Sequence, residues 1–153
     1  MSSEPLVVRV TTNRMMGPSL SVGFVLPAYC SAAGRVLLGS LSEAELDSYL
    51  RSVPLERLTP QTIVSRSTLR KEIRKAASEG WYLTDQETDA GVRSLAAPLR
   101  DANNQIVAAL NVSCYSGRVE ITRMMSDFLL QLLAVASAIG QELKASRFLQ
   151  RTS

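Results

Sequence analysis

Apolar residues recur along the chain with two periods, and the switches between them mark out its elements. Leu6-Val7-Val8-Arg9-Val10 is a β-branched run that predicts a strand. Ser19 to Val25 predicts its hairpin partner, turned by Gly17-Pro18, and Pro27 ends that extended stretch. Ser31 then opens a short helix through Leu38 that begins with the small residues Ala32, Ala33 and Gly34. Leu46, Tyr49, Leu50 and Val53 keep the i, i+3, i+4, i+7 spacing of a helix face, behind a capping box of Ser42 and Glu45. Pro54 and Pro60 bracket a loop. A third helix is predicted from a cap at Ser67 to a terminating glycine at Gly80.

Alternation takes over beyond Gly80. Trp81 to Leu83 reads as a strand, and Ser94 to Leu99 and Ile106 to Tyr115 read as a hairpin around Asp101-Ala102-Asn103-Asn104-Gln105. A long C-terminal helix is predicted from about Thr122 to Phe148, with Met124, Phe128, Leu132, Val135, Ile139 and Leu143 on one stripe. Strands interleaved with amphipathic helices imply an α+β domain on an antiparallel sheet. The chain of 153 residues, 46% hydrophobic, suits a single domain over residues 1–153.

Composition then narrows the function. The net charge of +3 is carried by scattered residues, with a modest cluster at Arg66, Arg70, Lys71, Arg74 and Lys75. That cluster falls opposite Leu69, Ile73 and Ala76, so it reads as a solvated helix face rather than a phosphate-binding patch. No helix-turn-helix pattern precedes Leu6, and no secretory signal opens the chain. The longest apolar run, Phe128 to Gly140, is interrupted by Gln131 and Ser137 and reads as too short and polar for a membrane span. The expectation is a cytoplasmic protein with reduced Cys30 and Cys114. With no histidine and two separated cysteines, zinc sites and Ser/His or Cys/His catalysis lack their usual parts, which argues against an enzyme and against a metal or other cofactor.

Candidate chemistry sits on the second strand of the hairpin. Its Ile106, Ala108, Leu110, Val112 and Cys114 face is wholly apolar, while Asn111 and Ser113 share the other face with Val107, Ala109 and Tyr115. Unpaired burial of such groups costs about 1–3 kcal/mol each, so they are either solvent-facing, bonded to one another, or turned into a pocket. Spacing alone leaves these open. Ser94 shares a face with Ala96 and Pro98 and is able to join Asn111 and Ser113 across the hairpin. Ser31-Ala32-Ala33-Gly34 admits close helix–sheet packing or an anion at a helix start. Arg14 is either a strand-edge cation or a carboxylate partner, and Met15 and Met16 are either core filler or an adaptable ligand wall. Glu87 and Asp89 read as loop or capping groups.

Three blocks in order carry a resemblance: Leu26-Pro27 with Ser31-Ala32-Ala33-Gly34-Arg35-Val36-Leu37-Leu38; Gly80 through Gly91 to Pro98; and Val107-Ala108-Ala109-Leu110-Asn111-Val112-Ser113. Over roughly Leu6 to Leu143 the chain resembles the C-terminal effector-binding domain of IclR-type bacterial transcription regulators. The resemblance implies a GAF-like fold, a small-molecule sensor without chemistry, and a homodimer or tetramer. It also implies that DNA is contacted only through an N-terminal winged helix-turn-helix that this chain lacks. By position, the family's effector pocket falls on Met15, Ala32, Ala33, Thr84, Ser94, Asn111 and Ser113. Departures are Thr84 where some members have aspartate, Ser94 where many have cysteine, and Asn111 where many have serine. Arg14-Met15-Met16, Leu20-Ser21-Val22-Gly23 and Leu26-Pro27-Ala28-Tyr29-Cys30 resemble regulators of protocatechuate and 4-hydroxybenzoate catabolism, implying an aromatic or dicarboxylic acid effector. The carboxylate is then expected near Ala33-Gly34 or Arg14. The rival expectation is an oligomerisation module with a vestigial pocket.

Overall fold

The computed structural model describes residues 3–5, 22–23 and 25–151. The predicted strand Leu6–Val10, the Gly17-Pro18 turn, and Arg14, Met15 and Met16 lie outside the described residues. Strand β1 (Ser3–Pro5) pairs antiparallel with β2 (Val25–Pro27), so Pro27 does close the extended stretch. Three helices follow: α1 (Ala32–Leu38), α2 (Glu43–Ser52) and α3 (Arg66–Glu79). The Ser42–Glu45 capping box is complete, with Ser42 N–H donating to Glu45 at 2.8 Å and Glu45 N–H donating to Ser42 Oγ at 3.2 Å.

The cap of α3 is Ser65, not Ser67. Ser65 Oγ accepts from Thr68 N–H, while Ser67 lies inside the first turn with its hydroxyl against that of Ser65. Gly80 ends the helix at φ 75°, a left-handed conformation that favours glycine. The strand after it is β3 (Tyr82–Asp85), shifted from the expected Trp81–Leu83, because Gly80 takes the chain out of the helix and pairing starts opposite Ala96. Strands β4 (Val92–Arg100) and β5 (Ile106–Tyr115) complete an antiparallel sheet in the order β3-β4-β5. Their turn is held by the Asp101 carboxylate, which accepts from Asn103 N–H at 2.8 Å and Gln105 N–H at 3.1 Å.

The C-terminal helix begins as α4 (Ile121–Arg123), passes one π-helical stretch over Met124–Phe128 and continues as α5 (Leu129–Arg151). The wide turn brings Met124, fully buried, against Cys114 at 3.6 Å between sulfurs. The helix over Ile121–Ser146 is long and apolar enough, by length and composition, to cross a membrane, contrary to the expectation drawn from its interrupted apolar run. Between Asp127 and Glu142 its exposed positions carry no charge, with Leu130, Ala134 and Val135 among them, which keeps that stretch apolar even outside the core.

The sheet thus has two chemically different sides. Leu95 and Ala97 face α5 and pack with Met124, Leu132 and Ala136, with Leu110, Val112 and Cys114 against them. Tyr82 and Ala96 face α1 and pack with Ala32, Val36 and Ala76 of α3. Behind α1, a third cluster joins the Ala28–Cys30 turn to Leu46, Leu50, Leu69 and Ile73. The expected α+β architecture, an antiparallel sheet flanked by helices with a long C-terminal helix, is the one formed.

The basic cluster is corrected. Arg66 donates to the carbonyls of Leu50 and Val53 at the end of α2, Arg70 pairs with Glu43 and Asp47, and Arg74 pairs with Glu43. Guanidinium groups of α3 thus dock on the acidic face and C-terminal carbonyls of α2, where the helix dipole favours a cation. Lys71 and Lys75 are left exposed.

Close approach of α1 to the preceding turn depends on Gly34. A Cβ there would lie 2.3 Å from the Ala28 carbonyl oxygen and 2.4 Å from Ala28 Cα. Gly34→Ala is expected to destabilise the domain by at least about 2 kcal/mol, because backbone cannot yield as a side-chain tip does. Gly80→Ala meets nothing within 4 Å and bears only its positive φ, an effect of about 1 kcal/mol. Urea unfolding of the two variants checks both the size and the order.

Candidate functional site

The register of the sheet places Thr84 beside Ser94 and Ser94 beside Ser113. Three hydroxyl side chains therefore form one row across three strands. The next row on the same face is Tyr82, Ala96 and Asn111, which brings Asn111 back to the first. Ser94 Oγ lies 2.8 Å from Ser113 Oγ, and Asn111 Nδ2 donates to Ser113 Oγ at 2.9 Å. Thr84 is 3% exposed, Ser94 and Ser113 are half-buried, and Asn111 is exposed. Of the arrangements that spacing left open, internal bonding is realised, and the set still has capacity to spare.

That capacity can be counted. The two serines hold two hydroxyl hydrogens and use one between themselves, whichever donates, since Ser113 already accepts from Asn111. One O–H is left to donate outward, and Asn111 Oδ1 is left to accept. Such a set can meet a group that both accepts and donates, as a hydroxyl does.

Helix α1 stands over this face. Ala32 is buried and Ala33 partly buried, both against the cluster of Tyr82 and Ala96. Ser31 caps the helix by accepting from Gly34 N–H at 3.0 Å, and Arg35 N–H bonds the Ser31 carbonyl. The Gly34 amide is therefore already bonded, and the small residue at that position is set by its contact with Ala28. The expected site residues Ala32, Ala33, Thr84, Ser94, Asn111 and Ser113 are gathered on the α1 side of the sheet. Arg14 and Met15 lie outside the described residues.

Sequence reasoning missed the charged centre beside this site. Arg35 has no solvent exposure. Its Nη1 donates to Glu87 Oε1 at 2.7 Å and to the Tyr82 hydroxyl at 3.1 Å, its Nη2 pairs with Glu87 Oε2, and its Nε donates to the Tyr29 carbonyl at 3.0 Å. The guanidinium also lies 5.0 Å from the centre of the Tyr82 ring. Burial alone would lower the Arg35 pKa, but the hydrogen bond and charge of Glu87 outweigh it and hold the value above the ordinary one. Burial raises the pKa of Tyr82, whose hydroxyl donates onward to Glu72 of α3. Glu87 does lie on the loop between β3 and β4, but its carboxylate caps nothing and is instead the counter-charge of a buried cation. The available signal was Arg35 itself, a lone charge inside the small and apolar helix Ala32–Leu38, which demands a partner if buried.

Among the described residues there is no cluster of metal-ligating side chains. A surface hollow of about 190 Å³ between α2 and α3 is lined by Asp47, Arg51, Arg66 and Arg70, remote from the polar row. Its Arg66 and Arg70 are already bonded to α2.

Against known proteins, the model of the bacterial transcriptional regulator IclR C-terminal domain matches residues 3–141. The chain belongs to the IclR family. The Pca regulon regulatory protein of Pseudomonas putida is 38% identical over 133 residues, covering 87% of this chain and 46% of that protein. The chain thus spans about half the length of the curated relatives it matches. The crystal structure of a transcriptional regulator from Rhodococcus sp. RHA1 superposes with a TM-score of 0.91 at 38% identity, covering 94% of this chain and 58% of that one. The inducer-binding domain of the Acinetobacter PobR transcription factor, solved as a double mutant with 3-hydroxybenzoic acid, gives a TM-score of 0.79 at 27% identity, covering 84% and 74%. The expected likeness to regulators of aromatic catabolism agrees with these IclR-family relatives, which are transcription regulators rather than enzymes.

Behind α1 in this IclR-type domain, Cys30 is fully buried, and desolvation pushes its thiol up to about 12 despite the nearby Arg35. An unfolded thiol titrates near ~8.5. The folded value is raised, so the stability it contributes is complete below that pH and is lost as pH climbs towards about 12. The stability gap between the parent and Cys30→Ala is expected to narrow with rising pH above ~8.5, by up to ~1.4 kcal/mol per unit. Urea unfolding at pH 8, 9 and 10 measures that gap, and a constant gap means that the thiol ionises equally in both states.

Proposed function

We propose that this chain is the small-molecule sensing domain of a cytoplasmic, DNA-binding transcription regulator, and that its effector is an organic acid, an aromatic hydroxy acid foremost. The observation that carries the reading is the row Thr84–Ser94–Ser113 with Asn111, a neutral donor-and-acceptor set on the sheet face beneath α1. Such a set, on an otherwise apolar surface, orients a ligand by one polar substituent. The similarity to a domain solved with 3-hydroxybenzoic acid supports the choice of acid. In this reading the ligand hydroxyl meets Ser94, Ser113 and Asn111. The carboxylate falls to Arg14 and to the start of α1 at Ala32 and Ala33, the Gly34 amide being bonded to Ser31. Binding shifts the population of domain arrangements in a homodimer or tetramer and so repositions DNA-binding heads outside this chain. The domain itself carries out no reaction.

A second reading, an oligomerisation module with a vestigial pocket, draws on the outer side of α5, where Leu130 is 69% and Val135 49% exposed. Apolar surface of that kind serves association with or without a ligand.

Calorimetry with 3-hydroxybenzoate and benzoate separates the two. The parent domain is expected to bind the hydroxy acid about tenfold more tightly, the equivalent of ~1.4 kcal/mol for the hydroxyl. Asn111→Ala and Ser113→Ala should each weaken 3-hydroxybenzoate by about 1–2 kcal/mol and close that preference. Thermal shift across a panel of aromatic and small organic acids sets the floor. If none stabilises the domain, the sensor reading is lost and the oligomerisation module stands.

A further inference from the structure

Arg35 and Glu87 have a role that stability does not explain. A buried ion pair is replaced by apolar residues of similar volume at little cost or with a gain, because desolvation of both charges offsets their attraction. What an ion pair supplies and an apolar contact does not is direction. Arg35 uses that direction in full: its three nitrogens reach the Tyr29 carbonyl, the Tyr82 hydroxyl and both oxygens of Glu87. One side chain of α1 is thereby tied to the turn before the helix, to β3 and to the segment between β3 and β4.

That last segment is itself fixed. Thr62 Oγ1 donates to the Glu87 carbonyl at 2.7 Å, and Thr59 Oγ1 donates to the Gln86 carbonyl. Gln86, at φ 59°, also accepts from Gly91 N–H through its side chain at 3.0 Å. Glu87 is therefore a rigid anchor, and α1 is the element placed by it. With seven residues, α1 is too short to be stable alone, and two of the three apolar side chains it packs into the cluster with Tyr82 and Ala96 are alanines, Ala32 and Ala33 beside Val36, so packing on the sheet defines its tilt weakly. Tyr82, on which the guanidinium rests, stands two residues before Thr84 on the same strand face, about 7 Å away. The tilt of α1 over Tyr82 is thus its distance from the hydroxyl row.

We infer that Arg35, held by Glu87, is the positioning residue of the effector site: it sets the height and tilt of α1 above the Thr84–Ser94–Ser113 row. This rests on the sensor reading above for its ligand. Arg35 does not touch the ligand, since it is fully enclosed and its charge is already met.

The test uses Arg35→Met together with Glu87→Leu, which removes both charges and leaves neither unpaired. The doubly substituted domain is expected to unfold at a urea concentration near the parent's. It should nevertheless bind 3-hydroxybenzoate about tenfold more weakly, the loss of roughly one well-made hydrogen bond. By hydrogen exchange, the amides of Val36 to Leu38 should exchange about tenfold faster while those of β4 and β5 keep their rates. Parent-like affinity and parent-like protection of α1 in a stable double variant would overturn the inference, leaving the pair as core filling. Should that variant fail to fold, Arg35→Lys keeps the charge and loses the fork, and the same two readouts decide. If the parent itself binds none of the aromatic and small organic acids, the sensor reading falls, while the exchange rates of α1 still decide whether the pair positions the helix.

Discussion

A guanidinium shut off from water, with its counter-charge one bond away, constrains everything near it. Arg35 arrives on α1 and Glu87 on the segment after β3, so neither is satisfied unless helix and sheet have met. Leaving either alone in the interior would cost about 3–5 kcal/mol. The pair therefore permits few intermediate placements of α1. Its neighbours follow suit: Tyr82 lies flat beneath the cation and passes its own hydroxyl hydrogen to Glu72 of α3. The Tyr29 carbonyl takes the Nε–H, which holds the turn in front of α1. Gly34 lets that turn approach closely enough for the bond to form.

Around this centre the two sides of the sheet divide their work. The side towards α5 is packed with Leu95, Ala97, Leu132 and Met124, and together with the cluster behind α1 around Leu46, Leu69 and Ile73 it holds the large apolar side chains whose burial stabilises the domain. The side towards α1 carries alanines where a core would carry leucines, namely Ala32, Ala96 and, partly buried, Ala33 and Ala109. Small residues there let α1 lie close to the sheet. In the proposed sensor, recognition would thus lie on the face of the three strands opposite the α5 core.

Much of this was legible in the sequence, and apart from one-to-two-residue shifts at the cap of α3 and the start of β3 the misses share a cause. The Ser42–Glu45 box, the Gly80 stop and the β4–β5 hairpin are local features, and local geometry realised each of them. The alternation along β5 was also enough to set Asn111 and Ser113 on one face and Ser94 opposite Ser113. Long-range partners were not legible. Arg66, Arg70 and Arg74 lie opposite the apolar stripe of α3, as the periodicity required, yet α2 meets Arg70 and Arg74 with Glu43 and Asp47, and Arg66 with the carbonyls at its end. Glu87 lies 52 residues from Arg35. No spacing rule joins the two, and an acidic loop residue with a distant buried partner has the same local pattern as a solvated one.

The cancellation at Arg35 also bears on how an acid is recognised. Arg35 is the buried cation among the described residues, and Glu87 neutralises it, so its field at the hydroxyl row is that of a pair rather than of a charge. Ser94, Ser113 and Asn111 are neutral as well. In the proposed sensor the floor would therefore discriminate by hydrogen-bond direction: a ligand group that neither donates to Asn111 nor accepts from the serine pair would leave polar groups unpaired, at about 1–3 kcal/mol. Selection for negative charge has to come from outside the floor, through Arg14 or the first amides of α1. The two selections are then separable. Substitutions on β4 and β5 alter which ring substituent is preferred, and leave the preference for an acid over its amide where it was.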